Sequence, residues 1–226
     1  MYRLNVAYEN AGSYRNFNEN AKRFVAPALT WQISPRTKLT AEFEYQHDQY
    51  VSDFGFPFEP ESLQLPRNRF LGIPGFNDAD SQATSFTYNL EHSFSNNWRF
   101  SQGFNVINAS IDIQSTFFNS LLEDRQTLDY YAAKSHEEQE NYTLQNELFG
   151  KFHTGSLKHN ILVGVELARY RFKYDFLRAS IEPINIFKPN YDVQIGEFES
   201  DFTSGLMFFS IPILVLSWEH SNGDIA

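Results

Sequence analysis

Apolar and polar side chains alternate with a period of two residues through most of the chain. In residues 38–50, a row of leucine, alanine, phenylalanine, tyrosine and histidine alternates with a row of lysine, threonine, glutamate, glutamine and aspartate. Successive side chains of a β-strand point to opposite faces of the sheet, so this segment predicts a strand with one apolar and one polar face. The segments with this pattern are 3–10, 23–34, 38–50, 83–95, 98–113, 141–152 and 157–174. They predict an all-β chain of about seven or eight antiparallel strands.

Two kinds of connection alternate between these strands. The expected short turns are at Pro35, Asn96 and Gly155, and the expected long irregular stretches are at 51–82, 114–137 and 175–200. In an up-and-down meander every second connection lies at the same end of the sheet. All turns should therefore share one end, and all long stretches the other. This asymmetry is typical of transmembrane β-barrels of the outer membrane, and a soluble β-sandwich has no reason to show it.

Two places disturb the alternation. Pro27 lies inside a predicted strand, although proline has no N–H to donate to a neighbouring strand and is unusual in the middle of a sheet. In residues 98–113 the apolar row changes parity near Val106 and Ile107. Such a change is expected from a β-bulge or from a strand that continues above the bilayer.

The aromatic residues support the membrane interpretation. They make up 17% of the chain, yet the mean hydropathy is −0.45, a combination that suits a barrel in which only alternate residues meet lipid. The aromatic residues that lie near a short turn on an apolar row are Trp31, Phe94, Trp98 and Phe152. They predict an aromatic girdle at one membrane boundary. The alternative is that they are ordinary core residues.

The polar rows carry carboxylates, among them Glu42, Glu44, Glu91 and Glu147, which would line a wet interior. With 28 acidic and 18 basic residues the net charge is −10, so no basic surface is available for nucleic acid. There is no cysteine, and the six histidines lack the spacing of metal ligands. We therefore predict no enzyme, no catalytic residue, no metal site and no cofactor.

Three motifs resemble one family when they are taken together. They are "RFVAPALTW" at the second strand, "LEHSFSNNWRFSQ" around the second short turn and "HNILVGVE" after the third. In order and spacing they resemble TonB-dependent siderophore receptors of the ferrichrome type. The resemblance implies a roughly 22-stranded barrel that is closed by a plug domain. It also implies uptake of ferric siderophores through the outer membrane of a Gram-negative bacterium.

The same resemblance implies three partners, namely a ferric siderophore, outer-membrane lipid and the TonB energy-coupling complex. The last would be reached through an N-terminal region that is missing here, because neither a plug domain nor a signal peptide precedes the first strand. We interpret residues 1–204 as part of a receptor barrel that is inactive by itself. A general porin-like channel and a soluble β-rich binding protein are the alternative functions.

Residues 205–226 form a separate predicted segment. They contain "GLMFFSIPILVLSW", a continuous apolar run that is interrupted by Pro212 and too short for a membrane helix. We interpret this segment as an anomalous tail that arose from a shifted reading frame or from a wrongly assigned gene end. The alternative is a genuine buried strand.

The first long stretch contains the candidate ligand-binding residues. Its phenylalanines are Phe54, Phe56, Phe58 and Phe70. Phenylalanine in an exposed connection requires a partner, so we predict an aromatic vestibule for the apolar part of a siderophore. Arg67 and Arg69 would attract an anionic complex. The resemblance carries Tyr50, Phe54 and Phe56 over as pocket residues, whereas packing of the loop on itself is the alternative.

Overall fold

The computed structural model describes residues 1–155, 157–210 and 215–221, with side chains up to residue 208. Ten strands of this part form one antiparallel sheet. They are β1 (Tyr2–Gly12), β2 (Glu19–Ser34), β3 (Thr37–Tyr50), β4 (Asp78–Ser93), β5 (Trp98–Leu121), β6 (Thr127–Thr154), β7 (Leu157–Ser180), β8 (Ile184–Asn185), β9 (Glu199–Ser210) and β10 (Val215–Ser221). A short 3-10 helix covers Pro60–Gln64. Among the described residues, no helix is long and apolar enough to cross a membrane.

The strands follow one another in an up-and-down meander. From β1 to β7, each strand pairs with the next strand in the chain. Both β9 and β10 pair with β7, β9 along Ala168–Arg178 and β10 along Lys158–Gly164. The two therefore take the place of one further strand beside β7. The predicted all-β meander is confirmed.

Part of the predicted anomalous tail lies in the sheet, because residues 205–210 belong to β9 and residues 215–221 form β10. The shifted reading frame stays a prediction. Residues 211–214, with Pro212, and 222–226 lie outside the described residues.

The three predicted short turns and the long connections 51–77 and 181–198 lie at opposite ends of the sheet, as predicted, whereas the short connection 122–126 shares the end of the long ones. Residues 35–36, 94–97 and the junction at Gly155 form the turn end. Residues 13–18, 51–77, 122–126 and 181–198 form the loop end. The prediction of an irregular stretch at 114–137 was wrong, because β5 continues to Leu121 and β6 begins at Thr127.

The register defines the two faces of the sheet. One row of directly opposed residues consists of Tyr2, Leu29, Ala41, Tyr88, Phe104, Leu144 and Leu167. We call the face that carries this row the outer face. A row on the opposite, inner face consists of Lys38, Glu91, Ser101 and Glu147. The predicted separation of an apolar from a polar face is thus confirmed.

The outer face is apolar in one part of the sheet only. This part, which we call the band, extends from the turn end to the row through Phe43, Phe86, Val106 and Tyr142. Large apolar side chains are exposed there, with Leu29 at 52% and Leu167 at 48% of full exposure. Trp31, Phe94 and Phe152 are exposed at the turn-end border of the band, where the girdle was predicted. This surface is largely apolar, and its polar pair of Gln102 and Asn146 is joined by a hydrogen bond of 2.7 Å, so it is suited to lipid.

Towards the loop end, the two faces exchange character. Asp80, Asp112, His136 and Asp175 form one row on the outer face. On the inner face, Phe117 lies opposite Tyr131. This exchange explains the change of parity near Val106, because β5 continues beyond the band. A β-bulge was the other explanation, but the register is unbroken at Val106 and is shifted only between Phe118 and Ser120.

Pro27 is accommodated by a local gap in pairing. On the β1 side it lies opposite Leu4. On the β3 side, neither Ala26 nor Pro27 has a paired residue, while the same register resumes at Ala28. The missing N–H of proline explains why the gap lies here.

The buried core lies at the loop end. Its cluster consists of Leu65, Leu71, Ile73, Phe76, Leu128, Tyr130, Ala132, Ala179, Ile181, Ile184 and Ile186. Loops 51–77 and 181–198 thus pack on the outer face of the tips of β6 and β7. Phe70 is fully buried as well, so its predicted exposure was wrong, whereas Phe58 is fully exposed.

Candidate ligand-binding surface

Aromatic side chains gather on the inner face at the loop end. We call this group the aromatic surface; it consists of Phe54, Phe117, Tyr131, Tyr174, Phe176 and Phe202. Four strands and one loop contribute to it. The pairing of long strands therefore brings together residues that lie far apart in the chain.

The rings contact one another in a continuous group. The ring centroid of Phe117 lies 5.5 Å from that of Tyr131 and 6.2 Å from that of Phe176. Tyr174 lies 6.2 Å from Phe176 and 6.3 Å from Phe202. These spacings are typical of favourable aromatic pairs. The surface is thus ordered by its own contacts and by the register of the strands.

One cation lies on this surface. The guanidinium carbon of Arg178 is 3.9 Å from the centroid of the Tyr131 ring, which is a cation–π contact. The side chain of Arg178 is 44% exposed and also lies 3.5 Å from Asp201. The surface can therefore offer aromatic faces and a positive charge to the same molecule.

Phe54 is the predicted site residue that lies on the aromatic surface. Its ring centroid is 4.8 Å from that of Phe117, and its side chain is 56% exposed. Loop 51–77 thus brings one ring to the inner face, although most of the loop packs on the outer face.

The other four predicted residues lie elsewhere at the loop end. Tyr50 is the last residue of β3 and lines a cleft with Asn20 and Ala79. Phe56 is half-buried, and the guanidinium carbon of Arg15 lies 4.8 Å from its ring centroid. The structure does not bring these two residues into the contacts of the aromatic surface, and their ligand contacts stay predictions.

The two predicted arginines differ in their surroundings. Arg67 is exposed, with its guanidinium 5.9 Å from the ring centroid of Tyr14. Arg69 is half-buried and donates from Nη2 to the Phe187 carbonyl oxygen at 3.0 Å. Arg69 thus joins loop 51–77 to loop 181–198. A role of either residue in attracting a ligand stays a prediction.

Three loops pack together beside the aromatic surface. The ring centroid of Phe17 in loop 13–18 lies 6.0 Å from that of Phe70 and 5.4 Å from that of Tyr191. The Tyr191 hydroxyl donates to the Phe70 carbonyl oxygen at 2.8 Å, and burial raises the pKa of this hydroxyl. The loops therefore support one another from outside the sheet.

The sequence-based search missed most of the aromatic surface. Phe117 and Tyr131 fall in the stretch that was predicted to be irregular, and Phe176 falls in the next one. A usable signal was present in β7, where the apolar row of Val163, Val165 and Leu167 is followed by aromatic residues of the opposite parity. Among the described residues, no group of three or more potential metal-ligating side chains is assembled.

Comparison with known proteins identifies the family. The model of the family described as "TonB dependent receptor-like, beta-barrel" matches residues 30–209. The chain belongs to this family. Its members are transporters of the Gram-negative outer membrane and are not enzymes. TonB-dependent siderophore receptors bind ferric siderophores and work together with TonB.

Similar curated proteins are receptors for metal complexes. The metal-pseudopaline receptor CntO of Pseudomonas aeruginosa is 31% identical over 197 residues, which are 84% of this chain and 28% of that receptor. The ferrioxamine B receptor of Salmonella typhimurium is 24% identical over 174 residues, which are 74% of this chain and 25% of that receptor. The chain thus spans less than a third of the length of these relatives.

Solved structures confirm the fold. The closed form of the ferric-catecholate import receptor Fiu from E. coli matches with a TM-score of 0.70 at 18% identity, over 92% of this chain and 33% of that receptor. The ferripyoverdine receptor of Pseudomonas aeruginosa matches with a TM-score of 0.68 at 17% identity, over 92% and 29%. At this identity the likeness concerns the fold alone.

Proposed function

We propose that this chain forms part of a TonB-dependent receptor that takes up a ferric siderophore across the outer membrane of a Gram-negative bacterium. The family and the names of the curated relatives support this function. The apolar band supports an outer-membrane location, because its exposed side chains need lipid to cover them. Uptake would depend on TonB. The family match favours this function over a general porin-like channel and over a soluble binding protein.

The observation that carries this proposal is the aromatic surface. Phe54 and Phe202 remain 56% and 55% exposed on the inner face, which is the face that a transported molecule passes in a barrel. Exposed rings are expected where a partner binds. The guanidinium of Arg178, which also pairs with Asp201, is a further candidate contact for an anionic complex. The proposed contacts are therefore Phe54 and the other rings of the aromatic surface, and Tyr50, Phe56, Arg67 and Arg69 remain further candidates.

The experiment replaces single rings in the intact receptor. Phe117→Ala and Tyr174→Ala should each weaken binding by about tenfold or more, because truncation of a central aromatic contact often costs at least about 1.4 kcal/mol. Ferric ferrioxamine B and metal–pseudopaline complexes are the first probes, since they are named by the relatives. Phe104→Ala is the matched control, because Phe104 lies on the outer face of the same strand as Phe117.

Uptake in cells distinguishes the proposed function from its alternatives. The receptor should support growth on a ferric siderophore only when TonB is present, and it should not pass small sugars. Growth without TonB, together with sugar leakage, would indicate a general channel. Unchanged affinity in both inner-face variants would contradict the assignment of the aromatic surface.

A further inference from the structure

Phe54 is exposed, but the two residues directly before it are held by buried polar contacts. The Ser52 hydroxyl donates to Ser115 Oγ at 3.0 Å, and the Ser52 carbonyl oxygen accepts from Asn77 Nδ2 at 2.9 Å. Ser115 is fully buried, and Ser52 is 7% exposed. An ordered segment that ends in an exposed ring differs from an ordinary mobile loop tip.

Asp53, the residue between Ser52 and Phe54, is the centre of a second group of contacts. Its carboxylate accepts hydrogen bonds from Arg15 Nε, from Arg15 Nη2 at 3.0 Å and from Asn18 Nδ2 at 3.3 Å. It also accepts from the backbone N–H of Gly55 at 2.8 Å, which closes a turn around Phe54. The side chains of Arg15 and Asp53 are only 12% and 6% exposed.

The turn also depends on its neighbours. Gly55 has a φ of +79°, a conformation that residues with a Cβ rarely adopt. The Arg15 guanidinium lies 4.8 Å from the Phe56 ring centroid, so Arg15 contacts the chain before and after Gly55. Loop 13–18 itself is held by the contact of Phe17 with Phe70. Arg15 of loop 13–18 therefore helps to fix the position of Phe54, although this loop contributes no ring to the aromatic surface.

We infer that Asp53 and Arg15 are positioning residues that hold Phe54 against Phe117 in advance of siderophore binding. This inference rests on the proposed function, because it assigns the ligand contact to Phe54. A ring that is already fixed loses less conformational freedom when a ligand binds, and this raises affinity without a new contact. The ion pair acts through Phe54 and does not touch the ligand.

The position of Phe54 can be measured without any ligand. This chain contains no cysteine of its own, so Phe54→Cys carries a single spin label in an intact receptor from which any cysteine outside this chain has been removed. The label should be immobilised in the otherwise unchanged receptor and mobile when Asp53→Asn is added. Glu61→Gln is the matched control. Glu61 belongs to the same loop as Asp53 and pairs with Arg125, but it lies outside the turn around Phe54. An unchanged spectrum in Asp53→Asn would overturn the inference.

Binding is measured in a double-mutant cycle with ferric ferrioxamine B and metal–pseudopaline complexes as probes. Asp53→Asn should weaken binding about fivefold to tenfold when Phe54 is present and less than about twofold in Phe54→Ala, since the two residues act as one unit. Equal weakening in both backgrounds would overturn the inference. If Phe117→Ala and Tyr174→Ala weaken binding but Asp53→Asn does not, the positioning role of Asp53 is contradicted and the proposed ligand contacts of the aromatic surface stand. If none of the aromatic variants changes binding, the assignment of the aromatic surface fails, whereas the uptake function itself is contradicted only by growth without TonB.

Discussion

The band and the loop end use apolar side chains in opposite ways. In the band, large side chains such as Leu29 and Leu167 point outwards and remain about half exposed. At the loop end, Leu71, Leu128 and Ile186 are fully buried between loops and strand tips. Every buried hydrophobic residue of the described chain lies at the loop end. One sheet thus contains a part that requires lipid and a part that has its own core.

This difference assigns a task to each region. In the band, the outer face of the sheet meets lipid and the inner face meets water. The loop end is surrounded by water, so its loops must bury one face of the strand tips. Part of the inner face remains open there and carries the aromatic surface, while Ser115 and Ala133 on the same face are buried. The proposed ligand contacts can therefore vary at the loop end without any change to the membrane-spanning register.

The largest effect is expected when a side chain in the buried core of the loop end is truncated, and this effect should be confined to the loop end. Phe70→Ala should destabilise the loop end by about 3–5 kcal/mol, because it removes a fully buried ring and leaves a cavity. Hydrogen exchange should rise in loops 13–18, 51–77 and 181–198 and stay unchanged in the band. Phe58→Ala, a fully exposed phenylalanine of the same loop, should change exchange nowhere. Global unfolding of the sheet by Phe70→Ala would contradict the independence of the two regions.

A charge on the outer face should have a large effect in the band only. Leu144→Arg places a cation in the apolar row between Phe104 and Leu167 and should cost about 2–4 kcal/mol in a bilayer. Ser110→Arg lies on the same face beyond the band, opposite Glu138, and should cost less than about 1 kcal/mol. Denaturant unfolding of the receptor in lipid vesicles measures both. Equal costs would remove the distinction between band and loop end.

The same distinction explains what could be predicted from the sequence. In the band each face meets one solvent, so the rows that contain Phe43 and Leu90 show the strict alternation that predicts a strand. At the loop end, Leu128 is buried by loop residues that are distant in the sequence, and Phe117 lies on the opposite face from the apolar row of the band. At the loop end, the alternation of apolar and polar residues along a strand therefore does not predict the strand correctly. Phe54 was predicted because it follows a predicted strand in an aromatic-rich loop and because the resemblance carries it over as a pocket residue.

A glycine in the band provides a finer test of its surface. Gly150 lies opposite Trp98 on the outer face, and a Cβ added at Gly150 would lie 2.7 Å from two atoms of the Trp98 ring. Gly150→Ala should therefore displace the indole and cost about 1–3 kcal/mol, as overpacking does. Tryptophan fluorescence and unfolding in lipid vesicles measure the two effects.

Gly103→Ala is the control for this substitution. Its added Cβ would meet the Gln145 side chain at an ordinary 3.7 Å, on the inner face. The change should therefore be neutral or slightly stabilising, because alanine restricts the unfolded chain. Equal destabilisation by both alanines would show that the contact with Trp98 is not the cause.

The smallest expected effect is a pH response at the loop end. Arg125 donates from Nε to Glu61 Oε1 at 2.9 Å and from Nη2 to Glu59 Oε2 at 2.8 Å, which joins loop 51–77 to the connection between β5 and β6. The hydrogen bond from Arg125 lowers the pKa of Glu61 below its ordinary value of 4.5. A carboxylate with a lowered pKa contributes its full stabilisation above the ordinary value and loses it as the pH falls through the lowered value.

Hydrogen exchange in Pro60–Gln64 should therefore stay constant from neutral pH to about pH 5, after correction for the intrinsic rate, and rise at lower pH. Glu61→Gln should remove this rise, and strand β3 in the band should show none. Because the groups are exposed, the effect should be small and should shrink further in high salt. A rise that begins near neutral pH would contradict a carboxylate as its source. A rise that persists in Glu61→Gln would assign the acid sensitivity of the loop end to other groups.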